Sequence, residues 1–376
     1  PALGLGIARF GYALVLPAMK TDLQWSYALA GWINTVNALG YLAGALLSGA
    51  MNRHIGIGRV FAIGACLTVL ALLGLGLTRE LWLISAFRFI SGYSGAMVFI
   101  SGGAIAASFA TRYRGRSGFL IGLFYGGTGF GIVLSGLVVP GLVAGIGPQS
   151  WPTVWLVMAG LGAVLGAASL LAVRGAGAPG QRIAGGAHER FRLSASLPIL
   201  LAYICFGAGS IAYMTFMFTY LARSGMGTAG LSSFWVLIGC AIMVSPWIWA
   251  RLMTNLRDGR AFALIAIVNG VGAALPLFSD AYWLALASGF IFGSSFLSVV
   301  AATTAYVHRN SPPSDYPRAI SIFAAAFGIG QTIGPTLTGA ITDHSGALSD
   351  GLILGFLLIL FSGFLGLSQK DPVSAK

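Results

Sequence analysis

Leu81-Trp82-Leu83-Ile84-Ser85-Ala86-Phe87-Arg88-Phe89-Ile90-Ser91-Gly92 returns 201 residues later as Tyr282-Trp283-Leu284-Ala285-Leu286-Ala287-Ser288-Gly289-Phe290-Ile291-Phe292-Gly293. Trp, Leu, Ala, Phe, Ile and Gly recur in register. The same offset pairs Gly58-Arg59 with Gly259-Arg260 and Tyr12 with Tyr213. A drift to 199 pairs Ala30-Gly31 with Ala229-Gly230 and Gly40 with Gly239, as small loop differences produce. The chain therefore reads as one unit used twice.

What that unit is follows from composition. Of 376 residues, 57% are hydrophobic and only 8% charged, against roughly 25% charged in an ordinary soluble domain. Apolar stretches recur along the whole length and leave little material for an aqueous domain, so the expected solvent is lipid. A helix needs about 20 mostly apolar residues to cross the hydrocarbon, and clusters of charge, Pro and Gly punctuate twelve such spans. The first six are 1–19, 25–50, 58–78, 81–110, 117–143 and 152–173, and the second six are 195–222, 228–253, 260–279, 282–307, 318–342 and 350–368. The predicted fold class is an all-α membrane protein, twelve transmembrane helices in two pseudo-symmetric six-helix bundles. The predicted units are residues 1–173, a cytoplasmic linker over 174–194, and residues 195–376 with a short tail.

The formal charge of +12 invites a nucleic-acid reading, but the positions of the basic residues speak for topology instead. With the amino terminus inside, 16 of the 21 Lys and Arg fall in cytoplasmic segments: Arg53, Arg59, Arg112, Arg114, Arg116, Arg174, Arg182, Arg190, Arg192, Arg251, Arg257, Arg260, Arg309, Arg318, Lys370 and Lys376. Only Lys20, Arg79 and Arg223 fall outside. The positive-inside rule then places both termini in the cytoplasm of a bacterial inner membrane. The chain opens Pro1-Ala2-Leu3, already inside an apolar run, so further cytoplasmic residues are expected before it; no cleavable signal is legible. Cys66, Cys205 and Cys240 lie in apolar segments without metal-type spacing. The 55 glycines, roughly double the usual share, read as sites of close helix approach.

Two parallel six-helix halves related by an axis along the membrane normal place a binding site between them near the midplane, exposed to each side in turn as the halves rock. The loop Gly49-Ala50-Met51-Asn52-Arg53-His54-Ile55-Gly56-Ile57-Gly58-Arg59, with Arg88-Phe89-Ile90-Ser91-Gly92 in span four, resembles the signatures of the major facilitator superfamily. Gly6-Ile7-Ala8-Arg9-Phe10-Gly11-Tyr12 through Leu16-Pro17, with Ala30-Gly31-Trp32 and Leu39-Gly40-Tyr41, is similar to its bacterial YbfB/YjiJ-type branch. The resemblance covers essentially the whole chain and implies a monomeric transporter of a small molecule. In the loop, Asn52 stands where that family has Asp, so Asn52, Arg53 and Arg59 form a conformational-switch loop that can latch only through neutral hydrogen bonds at Asn52.

All nine acidic residues fall outside the spans: Asp22, Glu80, Asp280, Asp343 and Asp350 on the outer side, and Glu189, Asp258, Asp315 and Asp371 on the inner. His54, His188, His308 and His344 lie in loops or at span ends. The interior thus holds two cations, Arg9 and Arg88, and no anion. Burying an Arg costs at least about 2.5 kcal/mol on the most lenient scale. At ~1.5 Å per residue, Arg9 lies about 16 Å below the outer end of span one and Arg88 about 12 Å below that of span four. The resemblance implies that both line one central cavity. The expected substrate is accordingly an organic or inorganic anion, held by forked guanidinium donors. The competing reading has either Arg donating to backbone carbonyls or tying helices together.

Polar stripes mark further candidate binding residues. Tyr12 follows Arg9 by one turn; Asn34, Asn37 and Tyr41 share a face of span two; Ser210, Tyr213 and Met217 share a face of span seven; Gln331 adds an amide in span eleven. The first half would hold the anion, and Ser210, Tyr213 and Gln331 would close over it. An alternative is efflux of neutral or acidic hydrophobic compounds through a cavity lined by Trp32, Phe89, Tyr93, Phe124, Tyr125 and Phe234. A non-transporting sensor or assembly protein is disfavoured by the short loops. Met214, Met217 and Met243 lack His or Cys at matching spacing, so no metal is expected; neither a phosphate-binding loop nor a Ser/His/Asp set at one depth is present, so neither enzyme activity nor a cofactor is expected. With no acid inside, uniport, anion exchange and symport remain open for coupling.

Overall fold

The computed structural model describes residues 1–112, 117–175, 194–256, 258–311 and 315–370. These form twelve membrane-length helical passages and no strand: α1 (Ala2–Asp22), α2 (Tyr27–Ile55), α3 (Ile57–Leu77), α4 (Leu81–Arg112), α5 (Ser117–Ile146), α6 (Trp151–Gly175), α7 (Leu197–Arg223), α8 (Thr228–Asn255), α9 (Arg260–Ala274), α10 (Tyr282–Asn310), α11 (Tyr316–Ser345) and α12 (Leu348–Leu367). Most of the predicted linker, residues 176–193, and the tail 371–376 lie outside the described residues, with Arg114, Arg116, Arg182, Arg190, Arg192, Arg257 and Lys376.

Eleven of the twelve passages are apolar enough to cross a bilayer on hydropathy alone, and α2 is the exception. Its 29 residues are ample in length. What lowers its hydropathy is Asn34, Thr35 and Asn37, all buried against protein rather than lipid. Two further departures from plain helices are local. α1 begins as a π-helix over Ala2–Phe10 and becomes α-helical from Tyr12, an irregularity frequent at functional sites. α9 ends at Ala274 in a 3-10 turn, Leu275–Leu277, because Pro276 has no N–H to continue the ladder.

The repeat governs packing as well as sequence. In the first half α2 packs on α4, α3 on α4 and α6, and α1 on α5 and α6; in the second, α8 packs on α10, α9 on α10 and α12, and α7 on α11 and α12. Individual contacts recur at the same offset of 201. Thr68 Oγ1 donates to Ser94 Oγ at 2.8 Å, and Asn269 Nδ2 donates to Ser295 Oγ at 2.9 Å. A Cβ on Gly92 would collide with the Asn37 carbonyl oxygen, and one on Gly293 would stand 2.6 Å from that of Ile238. Substituting Gly92 by Ala should therefore lower the unfolding temperature in detergent, reflecting an overpacking cost of about 1–3 kcal/mol. Gly141→Ala, where open space surrounds the new methyl, should leave the transition unchanged.

The halves meet along α2 with α11, α5 with α8, and α1 with α7. Gly31 lets α2 lie directly against the Pro335 carbonyl, where a Cβ would not fit. Thr35 Oγ1 and Thr336 Oγ1 share a hydrogen bond of 2.8 Å one turn further in.

Candidate functional site

A cavity of about 270 Å³ lies between the halves, just below the ~300–1,000 Å³ typical of small-molecule sites. Its lining comes from α1 (Leu5, Arg9), α2 (Tyr41, Ala45), α4 (Phe99), α5 (Tyr125), α7 (Tyr203), α10 (Phe296 to Val307) and α11 (Ile320 to Gln331). These are the parts of each helix nearest the end that carries Arg53, Arg59, Arg251 and Arg309, the basic end. Thr304, Ile320 and Ala324 of the lining are exposed, so the cavity is open toward that end.

The opposite end is zipped shut between the halves. The Asp343 carboxylate of α11 accepts the backbone N–H groups of Tyr27 at 2.8 Å and Ala28 at 2.7 Å, two of the donors that the first turn of α2 leaves without helical partners. The Arg223 guanidinium donates to the Tyr27 hydroxyl, and the Lys20 ammonium lies 4.3 Å from the centre of the same ring. Deeper in, Asn34 Nδ2 donates to Thr215 Oγ1 at 2.6 Å.

The two intramembrane cations have different surroundings. Arg88 is fully buried. Its Nη1 donates to the Ala8 carbonyl at 2.8 Å and its Nη2 to Asn34 Oδ1 at 3.1 Å. Tyr12 and Trp155 enclose it, with ring centres 4.6 and 5.9 Å from Cζ. Arg88 does not line the cavity. Ala8 sits where α1 changes from π to α spacing, so the irregular turn supplies an acceptor and α2 supplies the other.

Arg9 does line the cavity, as the only charged side chain there among the described residues. Its Nη2 donates to Gln331 Oε1 across the interface between halves, and its guanidinium lies 4.8 Å from the centre of the Tyr41 ring. Among the described residues this is its one hydrogen bond, out of the five donors a guanidinium carries. A cation with unspent donors facing a cavity has the chemistry to hold an anion.

Of the residues singled out from sequence, the structure brings Arg9, Tyr41 and Gln331 together on the cavity wall. The others are engaged elsewhere. The Tyr12 hydroxyl donates to the Ala30 carbonyl at 2.8 Å, Asn37 Nδ2 to the Arg88 carbonyl at 2.9 Å, and Ser210 Oγ to the Phe206 carbonyl at 2.6 Å. Tyr213 shares a 2.7 Å hydrogen bond with Ser288 and stacks on Phe292 at 3.9 Å. Asn52 Oδ1 accepts from Ser101 Oγ at 2.9 Å, tying α2 to α4 within one half, while Arg53 and Arg59 are exposed. Of the aromatic set, Tyr125 lines the cavity and Phe124 packs on it at 5.4 Å. Trp32 and Phe89 are 44% and 40% exposed on the helix exteriors, Phe234 is buried, and the Tyr93 hydroxyl donates to Met51 Sδ at 3.3 Å.

Sequence reasoning passed over Phe323 and Phe327, which share the face of α11 that carries Gln331, and Phe296, Val300, Thr303 and Val307 on one face of α10. Their spacing of three or four residues was the available signal; in a chain this apolar it does not stand out from lipid-facing stripes.

A family model described as "Uncharacterised MFS-type transporter YbfB" matches residues 1–367. The chain is 24% identical to the "Uncharacterized MFS-type transporter YceJ" of Bacillus subtilis (strain 168) over 99% of its own length and 94% of that protein. It superimposes on a crystal structure of a point mutant of the nucleoside transporter NupG with a TM-score of 0.73, 12% identity and 98% coverage of both chains; at that identity the likeness shows the fold. This chain thus belongs to the YbfB-type family of major facilitator superfamily transporters.

Proposed function

We propose that the protein moves a small anion across the bacterial inner membrane by alternating access, with Arg9 as its anion-binding group. The moving units are residues 1–173 and 195–376. The observation that carries this reading is Arg9 itself, a lone cation with unspent donors on the wall of the cavity between the halves. The basic end faces the cytoplasm with both termini, following the positive-inside rule, and the cavity that opens toward it corresponds to an inward-facing state. Tyr41 and Gln331 position the guanidinium. Because Gln331 belongs to the opposite half, an anion that competes for Arg9 loosens a contact between halves.

The apolar walls favour a second reading, export of acidic hydrophobic compounds, which uses the same site and differs in direction. NupG is a nucleoside transporter, but a neutral solute would leave the charge of Arg9 unpaired in a poorly solvated site. A thermal-shift screen of the detergent-solubilised protein against carboxylates, phosphates and inorganic anions tests the anion reading. Stabilisation by an anion should vanish in Arg9→Ala. Undiminished stabilisation in that variant contradicts the proposal.

Closure of the outer end has its own prediction. Asp343→Ala removes both acceptors from the first turn of α2 and should shift the population toward an outward-open form. The shift should be a few-fold, since an N-terminal cap contributes about 0.5–2 kcal/mol and Asp343 is exposed, where screening weakens its charge. Spin labels at Thr21 and His344, in a variant without the three native cysteines, should report a larger share of long distances. An unchanged distribution removes Asp343 from the gate.

A further inference from the structure

The lining of the cavity restricts which anion fits. Resting on the assignment of Arg9 as the anion site, we infer that the substrate is an aromatic monocarboxylate, its carboxylate at Arg9 and its ring between aromatic walls contributed by the two halves.

Charge comes first. A single guanidinium on the lining neutralises one carboxylate, whereas a dianion leaves a net charge in a poorly solvated site. Hydrogen-bonding capacity is equally limited. The hydroxyls of Thr303 and Thr304 already donate to the Val300 carbonyl at 2.8 and 3.2 Å, and Gln331 Oε1 is taken by Arg9. Tyr203 shares a hydrogen bond with Thr303, so beyond Arg9 the donors left on the lining are the Gln331 amide N–H groups and the phenols of Tyr41 and Tyr125. A phosphate, sugar or nucleoside would lose more hydrogen bonds to water than this lining returns.

The walls supply what such solutes do not use. Phe99 and Tyr125 of the first half pack with ring centres 5.8 Å apart. Across the cavity, Tyr203 of the second half lies 5.1 Å from Phe327 and 6.1 Å from Phe323. Aromatic rings accept a further ring edge-to-face or offset, adding to the gain from apolar burial. The order along the axis also matches: Arg9 pairs with Gln331, which lies about two turns further from the basic end of α11 than Phe323. A benzoate-like molecule entering carboxylate first meets each part of the lining with the matching part of itself.

Equilibrium dialysis of the purified full chain with radiolabelled benzoate, acetate, succinate, inorganic phosphate, uridine and benzamide tests this. Benzoate should bind at least about tenfold more tightly than acetate; succinate, phosphate, uridine and benzamide should not bind measurably. Arg9→Gln should abolish benzoate binding and Arg9→Lys should weaken it. Phe327→Leu should weaken benzoate several-fold and leave acetate unchanged. Arg9-dependent binding of acetate, succinate or phosphate as tight as that of benzoate overturns the aromatic class and leaves the anion reading standing. Benzamide binding as well as benzoate, or Arg9→Gln retaining benzoate affinity, overturns the anion reading and this inference with it. Absence of benzoate binding to protein with an intact unfolding transition overturns the inference alone.

Discussion

Arg9→Gln abolishes anion transport, by a factor of a hundred or more, without lowering the stability of the protein. The two halves of that statement come from different magnitudes. Removing the guanidinium relieves a burial cost of at least about 2.5 kcal/mol. The acceptor left behind is Gln331 Oε1, worth about 1–3 kcal/mol if orphaned, and it can be met by the new amide or by water in the cavity. The cation–π contacts with Tyr41 and Phe10 are lost as well, at about 0.5–1 kcal/mol each beside an open cavity, so the stability terms nearly cancel. Binding has no such compensation, since a charge-assisted bidentate pair to the anion is lost and replaced by at most a neutral hydrogen bond. Uptake into proteoliposomes together with the unfolding temperature in detergent checks both parts. A variant that transports at the wild-type rate removes Arg9 from the site, and a large fall in unfolding temperature makes it a structural residue.

Arg88→Met has the opposite profile. It also relieves the burial cost of a cation, but it orphans the Ala8 carbonyl and Asn34 Oδ1 in a fully enclosed site, at about 1–3 kcal/mol each. Two cation–π contacts go as well, with Tyr12 and Trp155, each worth about 2 kcal/mol when desolvated. The losses exceed the relief by roughly 3–7 kcal/mol on the lenient burial scale, so the unfolding temperature should drop markedly. Lys at this position should restore little, because one ammonium cannot reach both acceptors in the geometry of a planar fork. Below its own transition, folded Arg88→Met should bind anion within a few-fold of wild type. Loss of binding at unchanged stability would instead put Arg88 in the substrate site.

These contrasting profiles show where sequence reading stops. Both arginines are equally conspicuous in sequence, being the two charges inside spans, and rarity of charge in lipid is what made them legible. The difference between them lies in the Ala8 carbonyl, carried on the π-helical turn of α1, and in Trp155 from α6, neither of which has any signal in the residues around Arg88. Likewise Tyr12 and Tyr213 are matched by the repeat, yet one ring lies beneath a guanidinium and the other stacks on Phe292, because Gly289 replaces the cation in the second half. The architecture was more accessible. Period and offset are properties of the chain alone, and the offset that aligns Trp82 with Trp283 also aligns the close approaches at Gly92 and Gly293. α2 was found by its length and boundaries although its buried amides make it the least hydropathic passage.

Alternating access by an anion bound at Arg9 is tested most directly by countertransport. Proteoliposomes containing the wild-type chain are loaded with unlabelled benzoate and diluted into trace labelled benzoate, with no pH gradient. Exchange through a site exposed to each side in turn predicts transient accumulation of label above its external concentration in the wild type and none with Arg9→Gln. Equal accumulation with Arg9→Gln contradicts it, and so does label that only equilibrates in wild-type vesicles at the rate of empty liposomes when the same protein binds benzoate through Arg9.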